Sequence, residues 1–208
     1  MAKAYIAVSG NIGTGKSSLV EFLCRYFDLT PLPEPNDENP YLADFYKDMR
    51  AWSFHSQLFF LSRKIAMFED IRNAPCSIIQ DRAIYEDAEI FCRNLYNRRL
   101  MRKRDFELYM YLYEESKRYM PTPDLLIHLD CPLRVINRRI KLRGRRMEQK
   151  IPPSYLKKLQ ILYDDWIAGW DACPVVHLDT SELDFVSDLI DQSEVLQRVS
   201  DLVKGICR

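Results

Sequence analysis

The chain has 208 residues, with 30 Lys and Arg against 30 Asp and Glu, 47% hydrophobic and 12% aromatic residues, and a formal net charge of zero. That balance excludes a disordered tail, a collagen-like fibre and a bare coiled coil, and the length suits one compact domain over 1–208. A neutral chain is not held on nucleic acid or anionic lipid by bulk electrostatics, so neither partner is expected.

Tyr5–Val8 is the first short apolar run, and it stops at Ser9-Gly10 as a buried strand does. Gly10-Asn11-Ile12-Gly13-Thr14-Gly15-Lys16-Ser17 follows, fits G-x-x-x-x-G-K-[ST] and opens a predicted helix over Lys16–Phe27. Strand before and helix after are the two contexts that separate a phosphate-binding loop from a chance glycine turn. Backbone N–H groups curl around a phosphate there, Lys16 reaches the β- and γ-phosphates, and Ser17 offers a hydroxyl to Mg²⁺.

A weaker strand is expected near Asp28–Leu32. Pro31, Pro33, Pro35 and Pro40 then place Thr30–Pro40 in a loop, with Glu34 between two prolines that steady its backbone for a general base. A solvated loop glutamate is the plain alternative. Further strands are expected at Ser77–Gln80, Leu125–Leu129 and Val175–Leu178, separated by helix-length stretches Tyr41–Asn73, Ala88–Met120, Pro132–Arg143 and Ser154–Trp170. Strands alternating with helices predict a five-stranded parallel sheet covered on both faces, with ligands beyond the carboxyl ends of its strands.

Asp81-Arg82 leaves the third of these strands, so the acid can serve Mg²⁺ and the guanidinium the acceptor of a transfer; a capping Asp with a surface Arg would read the same alone. From Arg138 to Lys150 there are seven bases and one acid, and from Asp179 to Asp201 seven acids and one base. The first run, net +6 in a neutral chain, suits a mobile lid that clamps phosphates better than a solvated basic helix or an RNA-contacting patch; the acidic run reads as a solvated face. The strands end in Asp81-Arg82 and Asp130-Cys131 rather than Asp-Glu, and no N-K-x-D occurs, so neither a motor ATPase nor a GTPase is indicated. A kinase that shields a phosphoryl group from water fits better. Six cysteines without C-x-x-C spacing, and no apolar run near the roughly 20 residues that cross a bilayer, point to buried free thiols in a cytoplasmic protein.

SGNIGTGKSS at 9–18, PEPNDENPYLADFYKD at 33–48, WSFHSQLFFLSRK at 52–64, DRAIYEDAEIF at 81–91 and LRGRRMEQKIP at 142–152 together resemble the deoxynucleoside kinase family, in order and over nearly the whole chain. The likeness is to its bacterial deoxyadenosine/deoxyguanosine kinase branch. It implies ATP and Mg²⁺ as cofactors, a deoxynucleoside as acceptor and a homodimer packed through the long helices. Glu34 would take the 5′-hydroxyl proton, Arg82 would lie beside that hydroxyl, and Asp81 and Ser17 would serve the metal. Ser18 completes the loop. Gln57 would meet the base edge and Phe91 its face, while Tyr46 and Glu148 would grip the sugar 3′-hydroxyl. Asp87 would sense the base beside Lys64, where relatives carry arginine, or beside Arg63. Arg139, Arg143 and Arg145 would form the lid over the phosphates. The segment 179–185 resembles the loop that holds the donor's adenine. Purine deoxynucleosides are the expected substrates, with deoxycytidine a second candidate. A thymidylate-kinase-type monophosphate kinase and a P-loop nucleotide switch or nucleic-acid-binding module are the rival readings.

Overall fold

A computed structural model describes residues 3–145, 147–183 and 188–206. Arg146 of the basic run, Asp184 and Phe185 of the segment 179–185, and Cys207, one of the six cysteines, lie outside the described residues. Five strands, β1 (Tyr5–Ser9), β2 (Leu29–Leu32), β3 (Ser77–Asp81), β4 (Leu125–Asp130) and β5 (Val175–Asp179), form one sheet in the order β2-β3-β1-β4-β5. Every pairing is parallel. All five residues of β1 and of β3 are buried, because a parallel sheet is covered on both faces; the polar Ser9, Ser77, Gln80 and Asp81 are buried with the apolar residues.

The pleat sends alternate side chains to two cores. Ile6 and Val8 pack with Leu19 and Leu23 of α1 (Lys16–Tyr26) and with Val195, Val199 and Val203 of the C-terminal helix. Ala7 and Leu126 face the larger core, with Leu61, Ile84, Tyr109 and Leu159. The acidic C-terminal run is therefore amphipathic and buries a valine stripe at four-residue spacing, where a solvated face was expected.

Two helix-length stretches are interrupted. Tyr41–Asn73 divides into α2 (Leu42–Lys47) and α3 (Met49–Asn73) at Asp48, whose carboxylate accepts from the N–H groups of Arg50 and Ala51 at 3.1 Å each. An aspartate satisfying two orphan donors starts a new helix there. Around the second stretch the chain forms α4 (Ile84–Glu86) just ahead of it, then a π-helical turn (Asp87–Cys92), α5 (Arg93–Asn97) and, after a left-handed Arg99 (φ 57°), α6 (Lys103–Lys117), where one helix over Ala88–Met120 was expected. No glycine or proline marks that break in the sequence. Pro31 sits within β2 rather than in a loop, which an edge strand tolerates.

The remaining helices are α7 (Leu133–Arg143), α8 (Pro153–Ala168) and α9 (Leu189–Ile206), with a 3₁₀ turn at Glu148–Lys150. Gly144, at φ 69°, stops α7 and turns the chain into the rest of the basic segment. Cys92 and Cys131 are buried free thiols as expected, whereas Cys24, Cys76 and Cys173 are only half-buried.

Candidate active site

The phosphate loop joins β1 to α1 with Gly10, Gly13 and Gly15 all at positive φ. Gly13 has a second constraint: a Cβ there would lie 2.9 Å from Ile140 Cγ1 on α7, so the loop tip packs against the root of the basic segment. Asn11 donates to the Leu156 carbonyl and to Gln160 on α8, and Thr14 Oγ1 donates to the Asn11 carbonyl, so these two shape the loop from behind. Lys16 Nζ is bent over its own loop, donating to the carbonyls of Gly10 at 2.8 Å and Asn11 at 3.0 Å. Burial, then Arg82, lowers its pKa to about 8, against the pull of Asp81, Glu34 and Glu86.

At the carboxyl end of β3, Ser17 Oγ donates to Asp81 Oδ2 at 2.5 Å. The other oxygen, Oδ1, is buried without a hydrogen-bond partner. A hydroxyl beside an unsatisfied carboxylate oxygen at a phosphate loop is a donor set that fits Mg²⁺, which takes one or two protein oxygens and completes its shell with water and phosphate.

Ile12, Gly13, Gly15, Lys16, Ser17 and Ser18 line one end of a cavity of about 620 Å³. Glu34 and Arg82 form an ion pair in its wall, their side chains 10% and 7% exposed. Arg82 adopts a left-handed backbone, φ 62°, uncommon outside glycine and typical of strained functional positions. Its guanidinium also lies 4.3 Å over the Phe91 ring. Burial alone would raise the Glu34 carboxyl, but Arg82, then Lys16 and Lys64, and a 2.9 Å bond from Asn36 hold it down at about 2.

Gln57, Asp87 and Phe91 line the same cavity with Phe45, Phe60 and Tyr155. Asp87 and Phe91 both lie in the π-helical turn, where i→i+5 bonds put more residues into each turn, and both line the cavity. Gln57 Oε1 and Asp87 Oδ2 are buried without partners. Burial raises the Asp87 carboxyl to about 7, with Lys64 and Arg82 acting against it.

Lys64 departs from its expected place. It is fully buried but does not line the cavity; its ammonium donates to the backbone carbonyls of Asp81, at 3.3 Å, and Arg82, and among the described residues it makes no ion pair with Asp87, whose Oδ2 has no hydrogen-bond partner. Lysine is a compact donor on a flexible stem, and here it turns to two backbone carbonyls and not to the acid. Arg63 is directed elsewhere, 2.6 Å from Glu38 at the surface.

Glu148 and Tyr46 line the same cavity, and the charge of Glu148 helps to raise the Tyr46 phenol after burial itself and Tyr155. Glu148 is paired with Arg143 and, at 3.4 Å, with Arg145, so both lid arginines reach the cavity through it. Arg139 differs from them. Its guanidinium donates to the Thr14 carbonyl at 3.1 Å, the Thr180 carbonyl at 2.6 Å and the Leu183 carbonyl at 3.2 Å, tying the phosphate loop to the segment after β5. A fork satisfied by three carbonyls braces the loop, and Arg139 also lines the cavity. Asn36, two residues beyond Glu34, and Glu86, within the 81–91 motif, were missed in the sequence. A turn-forming asparagine and an acid set after Ile84-Tyr85 were the available signals.

Residues 6–204 match the profile described as deoxynucleoside kinase. The chain belongs to the deoxynucleoside kinase family. It is 36% identical over 200 residues to the deoxyadenosine/deoxycytidine kinase of Bacillus subtilis, covering 95% of this chain and 92% of that one. It is 36% identical over 212 residues to a deoxyguanosine kinase of Lactobacillus acidophilus, covering 97% and 91%. The solved deoxyadenosine kinase of M. mycoides with dCMP and a flexible dCDP superposes with a TM-score of 0.84 at 26% identity, over 95% of this chain and 99% of that one. The same enzyme with bound dATP gives 0.83. The fold is thus that of a P-loop kinase, and the chain is a deoxynucleoside kinase of nucleotide salvage. Among the described residues no helix is long and apolar enough to cross a membrane.

Proposed function

We propose that the kinase transfers the γ-phosphoryl group of ATP to the 5′-hydroxyl of a deoxynucleoside, within one domain over 1–208. One observation carries this: the Glu34–Arg82 pair stands in the same cavity as Lys16 and Ser17 of the phosphate loop and as Gln57, Asp87 and Phe91, whose ring lies under the Arg82 guanidinium. A donor's phosphates at the loop and a base at Phe91 leave the acceptor hydroxyl at Glu34.

Arg82 directs the hydroxyl oxygen, and Glu34 accepts its proton as the oxygen bonds to the γ-phosphorus and the β–γ bridging bond breaks. The transition state of phosphoryl transfer is loose, so the proton leaves late and a carboxylate with a depressed pKa suffices. Its larger task is orientation. Ser17 and Asp81 would hold Mg²⁺, which when bound neutralises phosphate charge. Arg143 and Arg145 answer charge that grows on the transferring group, and Glu148 with Tyr46 holds the 3′-hydroxyl.

Purine deoxynucleosides are preferred, deoxycytidine is accepted and thymidine is poor. Asp87, balanced near neutrality, can accept from an amino group or donate to a ring nitrogen, whereas a thymine methyl would desolvate it without compensation. The names of the Bacillus and Lactobacillus relatives lie in that range. The enzyme works in the cytoplasm as a homodimer; exposed Ile65 on α3 and Leu108 and Tyr111 on α6 supply apolar surface for the pairing. Assaying the four deoxynucleosides and their monophosphates with ATP and Mg²⁺ tests this reading: phosphorylation of monophosphates in preference to nucleosides overturns it.

A further inference from the structure

Glu86 has no part in the roles above, yet it is fully buried at the junction of the two halves of the site. Its Oε1 accepts from the Tyr163 hydroxyl at 2.9 Å and the Gly10 N–H at 3.3 Å, and its Oε2 accepts from the Ala83 N–H at 3.0 Å. Oε1 also lies 3.7 Å from Arg82 Nε, a buried atom with no hydrogen-bond partner of its own. One carboxylate therefore touches the first residue of the phosphate loop, the residue after the catalytic arginine, helix α8 and the arginine itself. Burial raises its pKa, and Arg82 and Lys16 draw it back. A buried carboxylate is costly unless charge and hydrogen bonds compensate it, and here every neighbour is part of the site or braces it.

Arg82 has two edges. Nη1 faces Glu34, and Nε faces Glu86. With the backbone left-handed at this residue, nothing in its own φ preference keeps the guanidinium in that pose. We propose that Glu86 is a positioning residue that acts through Arg82: it holds the edge turned away from Glu34 and ties it to Gly10. The acceptor end and the phosphate end of the cavity then share one anchor. The proposal rests on reading Arg82 as the companion of the acceptor hydroxyl. A plain helix-capping role for Glu86, through the Ala83 N–H alone, would instead affect stability and leave turnover unchanged.

The test uses full-length Glu86→Gln, Tyr163→Phe, Arg82→Lys and the Arg82→Lys/Glu86→Gln double variant, with kcat, both KM values and Tm measured on deoxyadenosine and ATP. Glu86→Gln should lower kcat by about 10- to 100-fold, the range a small misplacement of a reacting group costs. Both KM values should stay within about threefold, since the interaction matters at the transition state. In the Arg82→Lys background the same change should lower kcat by less than about twofold, because the residue acts through the arginine. Tyr163→Phe removes one hydroxyl from Glu86 and should lower kcat a few-fold with the same KM pattern. Wild-type kcat with a lowered Tm overturns the proposal, as does a loss confined to KM or a full multiplicative loss in the Arg82→Lys background. Should Glu86→Gln fail to fold, wild-type kcat in Tyr163→Phe overturns it. An Arg82→Lys enzyme with wild-type kcat would instead sink the reading of Arg82 itself.

Discussion

Glu34 and Arg82, 48 residues apart in the chain, hold each other as an ion pair in the wall of the cavity, with little water at either group. The pair keeps Glu34 ionised through the whole neutral range. Replacing Glu34 with Gln preserves size and one acceptor but removes the proton's destination. Turnover should fall by about 10²–10⁴-fold, with the deoxynucleoside KM changed far less. Steady-state kinetics check this, and wild-type turnover removes Glu34 from the mechanism.

Tyr46 and Glu148 meet the sugar if the nucleoside lies between the base end and Glu34. The wild type should use 2′,3′-dideoxynucleosides at least about tenfold less efficiently than their deoxy counterparts, because buried polar groups lose a partner. Tyr46→Phe should narrow that gap. Equal efficiency on both classes in the wild type contradicts the assignment.

Arg143 and Arg145 share Glu148 here, and in the proposed mechanism they answer phosphate charge during transfer. Arg143→Ala or Arg145→Ala should depress kcat by about tenfold or more while ATP KM changes less, the signature of an interaction stronger in the transition state. A loss seen in ATP KM alone makes them docking groups.

Base choice should follow Asp87 and not Lys64. Asp87→Ala should raise the efficiency ratio of thymidine to deoxyadenosine, since it removes the group that a thymine methyl would desolvate. Lys64→Met should leave that ratio within about twofold and lower turnover on both, because Lys64 holds the carbonyls of Asp81 and Arg82. A ratio that moves with Lys64→Met alone would return the lysine to the base end.

Asp87 also gives stability a pH slope without substrate. Burial raises its carboxyl from 3.8 to about 7, so its share of stability is intact below pH 3.8 and lost as pH rises through 7. Asp87→Asn lacks the titration. Its Tm relative to wild type should therefore climb between pH 5 and pH 8, read by thermal melts in matched ionic strength; a constant difference refutes the shift. Glu34 works the other way, contributing stability above 4.5 that is lost as pH falls through about 2.

Strands and phosphate loop were legible because each rests on a local signal: an apolar run, or glycines around a lysine. All five strands fall where such runs occur, including edge strand β2 with its proline. The break at Arg99 was not, since an arginine in the left-handed region leaves no mark in composition. The base end was half legible. Gln57 and Asp87 do reach the cavity, yet the partner of Lys64 depends on where two carbonyls of another segment point, which helical spacing does not encode. Arg139 shows the same limit: its charge suggested a place in a basic lid, but the carbonyls of Thr180 and Leu183 that occupy it come from the far end of the chain.

The left-handed backbone at Arg82 changes what a deletion at that position measures. An L side chain held at φ 62° carries about 1–2 kcal/mol of strain that glycine does not. Arg82→Ala would keep that strain and lose the ion pair with Glu34 that offsets it, so misfolding and lost chemistry would be confounded in one variant. Arg82→Gly removes the guanidinium and the strain together, at the cost of a looser unfolded chain. At this position glycine, and not alanine, is the cleaner eraser, and added guanidinium is the natural complement to try in the space it leaves.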